Sequence, residues 1–382
     1  MSESHRRAFL GYCAATGLGG AAFPKILLAQ ITPGTAVIDP GAIREAARLA
    51  GHDWSEEACR EVAESLSSLA ASVTRIDKDG LTNASPLPLH FDPRPPGEAI
   101  PMPTGGLRLP KAPTVKRPSS LSDVAFWPAT HLAALIRERQ VTSVELTRMY
   151  LDRLARHDAE LNCVVTLTEA RAMAEATAAD ADLKAGRVRG PLHGVPYGVK
   201  DIIAARGTPT TWGAQPGLAE VVDEDATVVA RLREGGAVLV AKLATGEMAF
   251  GDQWARGRTN NPWNPAEGSS GSSAGSAAAT AAGLVGFAIG TDTGGSILSP
   301  AVRCGVVGLR PTFGRVSRHG VMAAGTTLDK IGPICRTAID CGVVLSVIAG
   351  PDGLDLAVPD HAPLAWDAQA KDGPTRIGYV PA

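Results

Sequence analysis

The sequence predicts an α/β protein, a layered domain with a mixed central β-sheet covered by helices. Three observations carry this reading. From Leu121 to Leu309, runs of strand character alternate with runs of helical spacing. Hydrophobic residues make up 45% of the 382 positions but aromatics only 4%, so small side chains must fill the core, as suits helices lying close on a sheet. Glycine-rich turns at 268–276 and 290–296 stand where loops and strands hand over to helices.

Along the chain, residues 1–30 read as an address. Arg6-Arg7-Ala-Phe9-Leu10, a short apolar Gly/Ala run and small residues match a twin-arginine export signal, which sends the mature protein to the periplasm or beyond; without export it stays cytoplasmic. Residues 31–82 read as a helical extension. Apolar positions recur at helical spacing from Gly41 to Val73, and Ser55-Glu-Glu opens the second of two helices. Asp77 to Gly80 is a turn. Residues 83–120 are proline-rich and read as an arm that forms neither helix nor sheet but packs along a surface. Residues 121–382 form the core domain.

Within that domain helices are expected at Ala129–Ile136, at the amphipathic Ser143–Arg156 with a serine cap, at the alanine-rich Glu169–Ala185, at Thr227–Glu234, where Gly235-Gly236 ends it, and at the small-residue run Ser276–Gly283. Strands are expected at Leu161–Leu167, Val195–Ile203, Ala237–Ala241, Leu284–Ile289 and Gly305–Leu309.

Charge excludes some classes of partner. There are 37 basic and 39 acidic residues and no basic stripe, so no nucleic-acid partner is expected. No stretch approaches ~20 apolar residues, so no span is expected in the mature chain. None of the six cysteines forms a CxxC pair, which argues against a zinc ribbon or a dithiol motif; buried, idle thiols are the simpler reading.

The chemistry lies between Pro191 and Gly308. Lys200 sits inside the apolar run Val195-Pro-Tyr-Gly-Val-Lys200-Asp-Ile-Ile203. Most lysines are solvated. One buried on a strand loses proton affinity and can serve as a base; the plainer alternative is a pair with Asp201 at the strand end. The tract Gly268-Ser-Ser-Gly-Ser272-Ser273-Ala-Gly-Ser276 has linker composition, but it runs straight into a helix and so reads as a loop feeding it. In Gly290-Thr-Asp292-Thr293-Gly294-Gly295-Ser296, successive N–H groups can converge as an oxyanion hole. Lysine and spaced serines on such turns can build a nucleophile without histidine. Two other motifs fail on context. Gly271-Ser-Ser273-Ala-Gly275 fits a nucleophile elbow but lacks the apolar strand before it. Asp292-Thr-Gly294 lacks the second triplet that aspartic-protease chemistry needs.

Three blocks together resemble the amidase signature family: Gly190 to Asp201, Asn261 to Ala279, and Gly290 to Val316. The resemblance implies that family's fold. It also implies a triad of Lys200, a bridging Ser272 held by a cis peptide, and a nucleophilic Ser296, the two serines standing 24 positions apart as in the family. Thr293, Gly294 and Gly295 take the oxyanion hole, with Ser273 and Asp292 in support. The implied reaction cleaves a small-molecule carboxylic amide through an acyl-serine, and needs neither metal nor organic cofactor. Two family glycines appear here as Ser270 and Ala274, and the frequent arginine after the nucleophile is Leu298, which implies an uncharged pocket wall. The chain stops at Ala382, where members begin another strand; roughly a further hundred residues are expected to complete sheet and pocket. The helical extension is weakly similar to the small C subunit of aspartyl/glutamyl-tRNA amidotransferases. Two alternatives therefore stay open: the glutamine-hydrolysing subunit of such an amidotransferase, and a truncated, non-catalytic binding protein.

Overall fold

The computed structural model describes residues 38–49, 51–78, 106–214, 220–325, 327–358 and 364–370. The signal reading of residues 1–30, the turn's end at Asp79-Gly80 and the first part of the proline arm lie outside them. The chain divides into two units, Met1–Pro88 and Leu89–Ala382.

The first unit holds the two expected helices, α1 (Pro40–Leu49) and α2 (Glu56–Lys78). Ser55 does start α2, its hydroxyl accepting the Ala58 N–H at 3.2 Å. Ala47, Cys59 and Ala63 are buried.

The second unit is built on six strands: β1 (Val164–Leu167), β2 (Pro196–Lys200), β3 (Val238–Leu243), β4 (Phe287–Asp292), β5 (Val307–Gly308) and β6 (Lys330–Cys335). Their order is β5-β6-β4-β2-β3-β1. The middle three run parallel, while β6, β5 and β1 pair antiparallel. The sheet is mixed, as the alternation of elements predicts. Every residue of β2, β3 and β4 is buried, which is why these strands read as near-continuous apolar runs rather than alternating ones.

Helices α3 (Ala129–Arg137), α4 (Ser143–Leu161), α5 (Glu169–Lys184), α6 (Thr227–Glu234), α7 (Ala274–Ala281), α8 (Leu298–Cys304) and α9 (Ala338–Ile348) cover the sheet. One apolar cluster joins Leu135, Ile136, Val229 and Val344 to Tyr197, Val199 and Phe287 of the strands. Another joins Leu154, Ala172, Ala176 and Ala278 to Val238, Val240 and Ala288. Small residues matter most in α7, where all eight residues are buried. A Cβ at Gly275 would stand 2.4 Å from the Ala244 nitrogen, so only glycine lets α7 approach there.

Several boundaries differ from expectation. Thr142, not Ser143, caps α4, in a reciprocal capping box with Glu145; Ser143 instead donates to Gly194 O at 2.8 Å. The strand after α7 starts at Phe287 because Leu284 and Val285 complete the turn. The arm is not wholly without sheet: Leu107–Arg108 pairs in parallel with Trp366–Asp367. Of the central sheet and the helices that cover it, three elements went unread, namely α8, β6 and α9. The β6 strand is continuous, but Gly332-Pro333 breaks its strand signal in the sequence. Helix α9 is apolar on nearly all sides and has no helical period to detect. The described cysteines, 59, 163, 304, 335 and 341, are free and buried.

Candidate active site

The strands β2 and β4 are parallel neighbours, so both present their last side chains at one edge of the sheet. Lys200 ends β2, and Thr291 and Asp292 end β4. Lys200 is 0% exposed. Its Nζ donates to Ser272 Oγ at 2.7 Å and to Thr291 Oγ1 at 2.8 Å. Burial pushes its pKa down to about 7, against the pull of the Asp292 and Asp329 carboxylates. The alternative pairing with Asp201 does not occur. Asp201 faces Lys242, whose Nζ lies 2.9 Å from Oδ1, while the other carboxylate oxygen holds Thr211.

The serine loop, 269–273, leads directly into α7. The Gly271–Ser272 peptide is cis, and Ser272 is buried against Lys200. Ser273 fastens the loop to β4. Its hydroxyl donates to Thr291 O at 3.0 Å and accepts from Thr291 N–H at 3.1 Å. Gly290 makes room for this, since a Cβ there would meet Ser273 Oγ at 2.7 Å. Ser273 therefore serves the backbone clasp rather than an elbow. The strand before the loop, Asn264–Gly268, belongs to a separate two-stranded ladder with Asn260–Asn261.

Ser296 joins the cluster through its backbone, its carbonyl accepting the Ser273 N–H at 3.1 Å. Its side chain is half-buried. Asp292 organises the turn that carries it. Oδ1 accepts the Gly295 N–H at 2.8 Å and Oδ2 the Ile297 N–H at 2.8 Å. Gly295 is thus engaged internally and has no N–H left for an oxyanion. Among the described residues the N–H groups of Thr293, Gly294 and Ser296 have no such partner. Arg310 lies 3.7 Å from Asp292.

Beside the Lys200–Thr291 pair opens a cavity of about 240 Å3, with Ile202, Val321, Met322, Asp329 and Ile331 in its wall. Leu298, expected in an uncharged wall, is on the exposed side of α8. Among the described residues no group of three or more His, Cys, Asp or Glu could hold a metal ion. Sequence reasoning missed Thr291, the second partner of Lys200, because a threonine inside a strand carries no chemical signal. The parallel pairing of Ile289 with Val199 was the missing information.

A family model described as Amidase matches residues 145–382. The A subunit of the glutamyl-tRNA(Gln) amidotransferase of Geobacter sulfurreducens is 48% identical over 237 residues, covering 59% of this chain and 48% of that protein. The putative amidase AmiD of Mycobacterium tuberculosis is 47% identical over 239 residues, covering 61% and 50%. The native peptide amidase of Stenotrophomonas maltophilia, a solved structure, has a TM-score of 0.60 at 39% identity, over 62% of this chain and 50% of that one. The chain spans about half the length of the curated relatives it matches.

Proposed function

The chain belongs to the Amidase family, and from that premise we propose that it is a serine amidohydrolase, cleaving a carboxylic amide to an acid and ammonia or an amine. The observation that carries the reading is the 2.7 Å bond from a wholly buried Lys200 to Ser272.

In this mechanism Lys200 acts in its neutral form. Ser296 gives its proton to Ser272 Oγ as Ser272 passes its own to Lys200 Nζ, and Ser296 Oγ attacks the amide carbonyl. N–H groups of Thr293, Gly294 and Ser296 hold the oxyanion. When the C–N bond breaks, the leaving nitrogen takes the proton back through Ser272. Water then releases the acid by the same relay. Thr291 shares the lysine with Ser272 and fixes where its nitrogen points. The relay uses neither metal nor organic cofactor.

A substrate of the small-molecule amide class is consistent with the peptide amidase and putative amidase among the relatives. A second reading, glutamine hydrolysis within a tRNA-dependent amidotransferase, is favoured by the 48% identity to the Geobacter amidotransferase chain. The twin-arginine segment, residues 1–30, supports export and the first reading. No described helix is long and apolar enough to cross a membrane.

Ammonia release from a panel of neutral carboxamides and from glutamine tests the proposal. Ser296→Ala should lower turnover by roughly 10^4-fold or more. Turnover retained in that variant rejects the assignment, and release from glutamine alone selects the second reading.

A further inference from the structure

Two charged residues outside the relay grip the turn that carries Ser296. The turn contains Gly294 and Gly295, and a Cβ at either would meet nothing within 4 Å. These glycines are therefore not required by close packing, and their freedom leaves the turn loose unless something else fixes it. Asp292 fixes its far end through Gly295 and Ile297. Thr293, at its near end, is held twice. Its hydroxyl donates to Asp329 Oδ1, and its carbonyl accepts from Lys330 Nζ at 3.1 Å.

The sheet delivers both residues. β6 runs antiparallel to β4, with Lys330 in register with Asp292, so the start of β6 lies beside the end of β4. Asp329 is itself anchored, its second oxygen accepting the N–H groups of Ala324 and Gly325 at 2.9 Å each.

From this geometry we propose that Asp329 and Lys330 are positioning residues that clamp Thr293 and so aim the Gly294 N–H into the oxyanion site. The inference rests on the reading of Ser296 as nucleophile. A trans peptide is planar, with its C=O and N–H pointing in opposite directions. Lys330 holding the Thr293 carbonyl therefore turns the Gly294 N–H the opposite way within that plane, away from Lys330. Asp329 stops the same residue from rotating, and it acts through Thr293 rather than touching the substrate.

The alternative is that Asp329 merely caps the 324–325 turn and Lys330 is a surface cation. Hydrogen exchange on the intact chain separates the two without requiring turnover. Lys330→Met should exchange the 291–298 amides at least about tenfold faster, with β2 and β3 unchanged, and Lys330→Arg should restore protection. Wild-type rates in Lys330→Met overturn the clamp. If Lys330→Met does not fold, Thr293→Val, which removes the hydroxyl held by Asp329, is read in the same way.

A second readout uses the rate at which a fluorophosphonate phosphonylates Ser296, with loss of fluoride. Lys330→Met should slow it about tenfold, because misplaced donors cost rate rather than ground-state binding. Asp329→Asn removes the charge; its one remaining oxygen accepts the Ala324 and Gly325 N–H groups, and its NH2 donates to the Thr293 hydroxyl, reversing that one bond. Lys200 faces the carboxylates of Asp292 and Asp329, with Arg310 and Lys330 beyond them and the Lys242–Asp201 pair on the neighbouring strand. Removing the Asp329 charge should move the acid limb of the rate profile to lower pH, an effect that turn capping alone does not produce. Phosphonylation of the wild-type chain with unaltered rates and profiles in both variants overturns the proposal. A wild-type chain that the probe does not phosphonylate rejects the amidohydrolase reading instead, and the exchange rates then decide the clamp by themselves.

Discussion

Lys200 sets the behaviour of the site at the scale of one residue. Its pKa, normally 10.5, is brought to about 7 by burial. The relay requires the neutral form, so turnover should rise as pH increases through about 7 and level off above it. A pH–kcat/KM profile checks this, and a rate that falls over that range contradicts it. The same shift has a consequence for stability. Between about 7 and 10.5 the unfolded chain binds more protons than the folded one, so the penalty for burying this lysine grows as pH falls through that window and is complete below it. Lys200→Met should therefore abolish turnover yet raise the melting midpoint at pH 7, with the gain shrinking as pH approaches the upper limit. Scanning calorimetry of both proteins at two pH values tests it. The burial of Lys200 was legible because a lone cation interrupts an apolar strand, and the nearness of Ser272 and of the turn carrying Ser296 because their spacing and glycine settings resemble a known pattern; their roles as a triad belong to the proposed function. Thr291 and the engagement of Gly295 by Asp292 were not legible, since both depend on side-chain directions that only the folded chain fixes.

At the scale of elements, the site depends on how closely the serine loop lies on β4. Gly290→Ala would drive a methyl into Ser273 Oγ and break its two bonds to Thr291. A loss of about 1–3 kcal/mol is expected from such overpacking, together with loss of Ser296 reactivity. Denaturant melts and fluorophosphonate labelling of the variant measure the two effects. The unread C-terminal segment matters as much for stability. Arg336, just after β6, donates to the carbonyls of Trp127, Thr280, Val285 and Gly286. Asp340 on α9 accepts the N–H groups of Ala129 and Thr130, tying the start of α3. Arg336→Met should cost about 3 kcal/mol, because several part-buried carbonyls lose their donor together; a change below about 0.5 kcal/mol, the range of an ordinary surface substitution, contradicts this. Amphipathic spacing exposed α4 and alanine richness α5, but neither signal could expose α9, which is apolar nearly all round, or β6, whose apolar sequence is broken by Gly332-Pro333.

At the scale of the whole molecule, the mixed α/β sheet followed from the order of strand and helix signals, and the structure has that architecture. The order of strands in the sheet could not be read in the same way, because it depends on long-range pairing such as β6 returning between β5 and β4. That pairing brings Asp329 and Lys330 to the turn that carries Ser296. A relay built only from lysine and serines predicts that prolonged dialysis against a chelator leaves turnover unchanged, and a loss restored by a divalent ion would contradict it. The most direct test of the account is fluorophosphonate modification of the intact chain, followed by peptide mass mapping. The account predicts one modified residue, Ser296, in the wild-type chain and no modification in Ser296→Ala or Lys200→Met. A folded wild-type chain that stays unmodified, or one that carries the label on another serine, would contradict it.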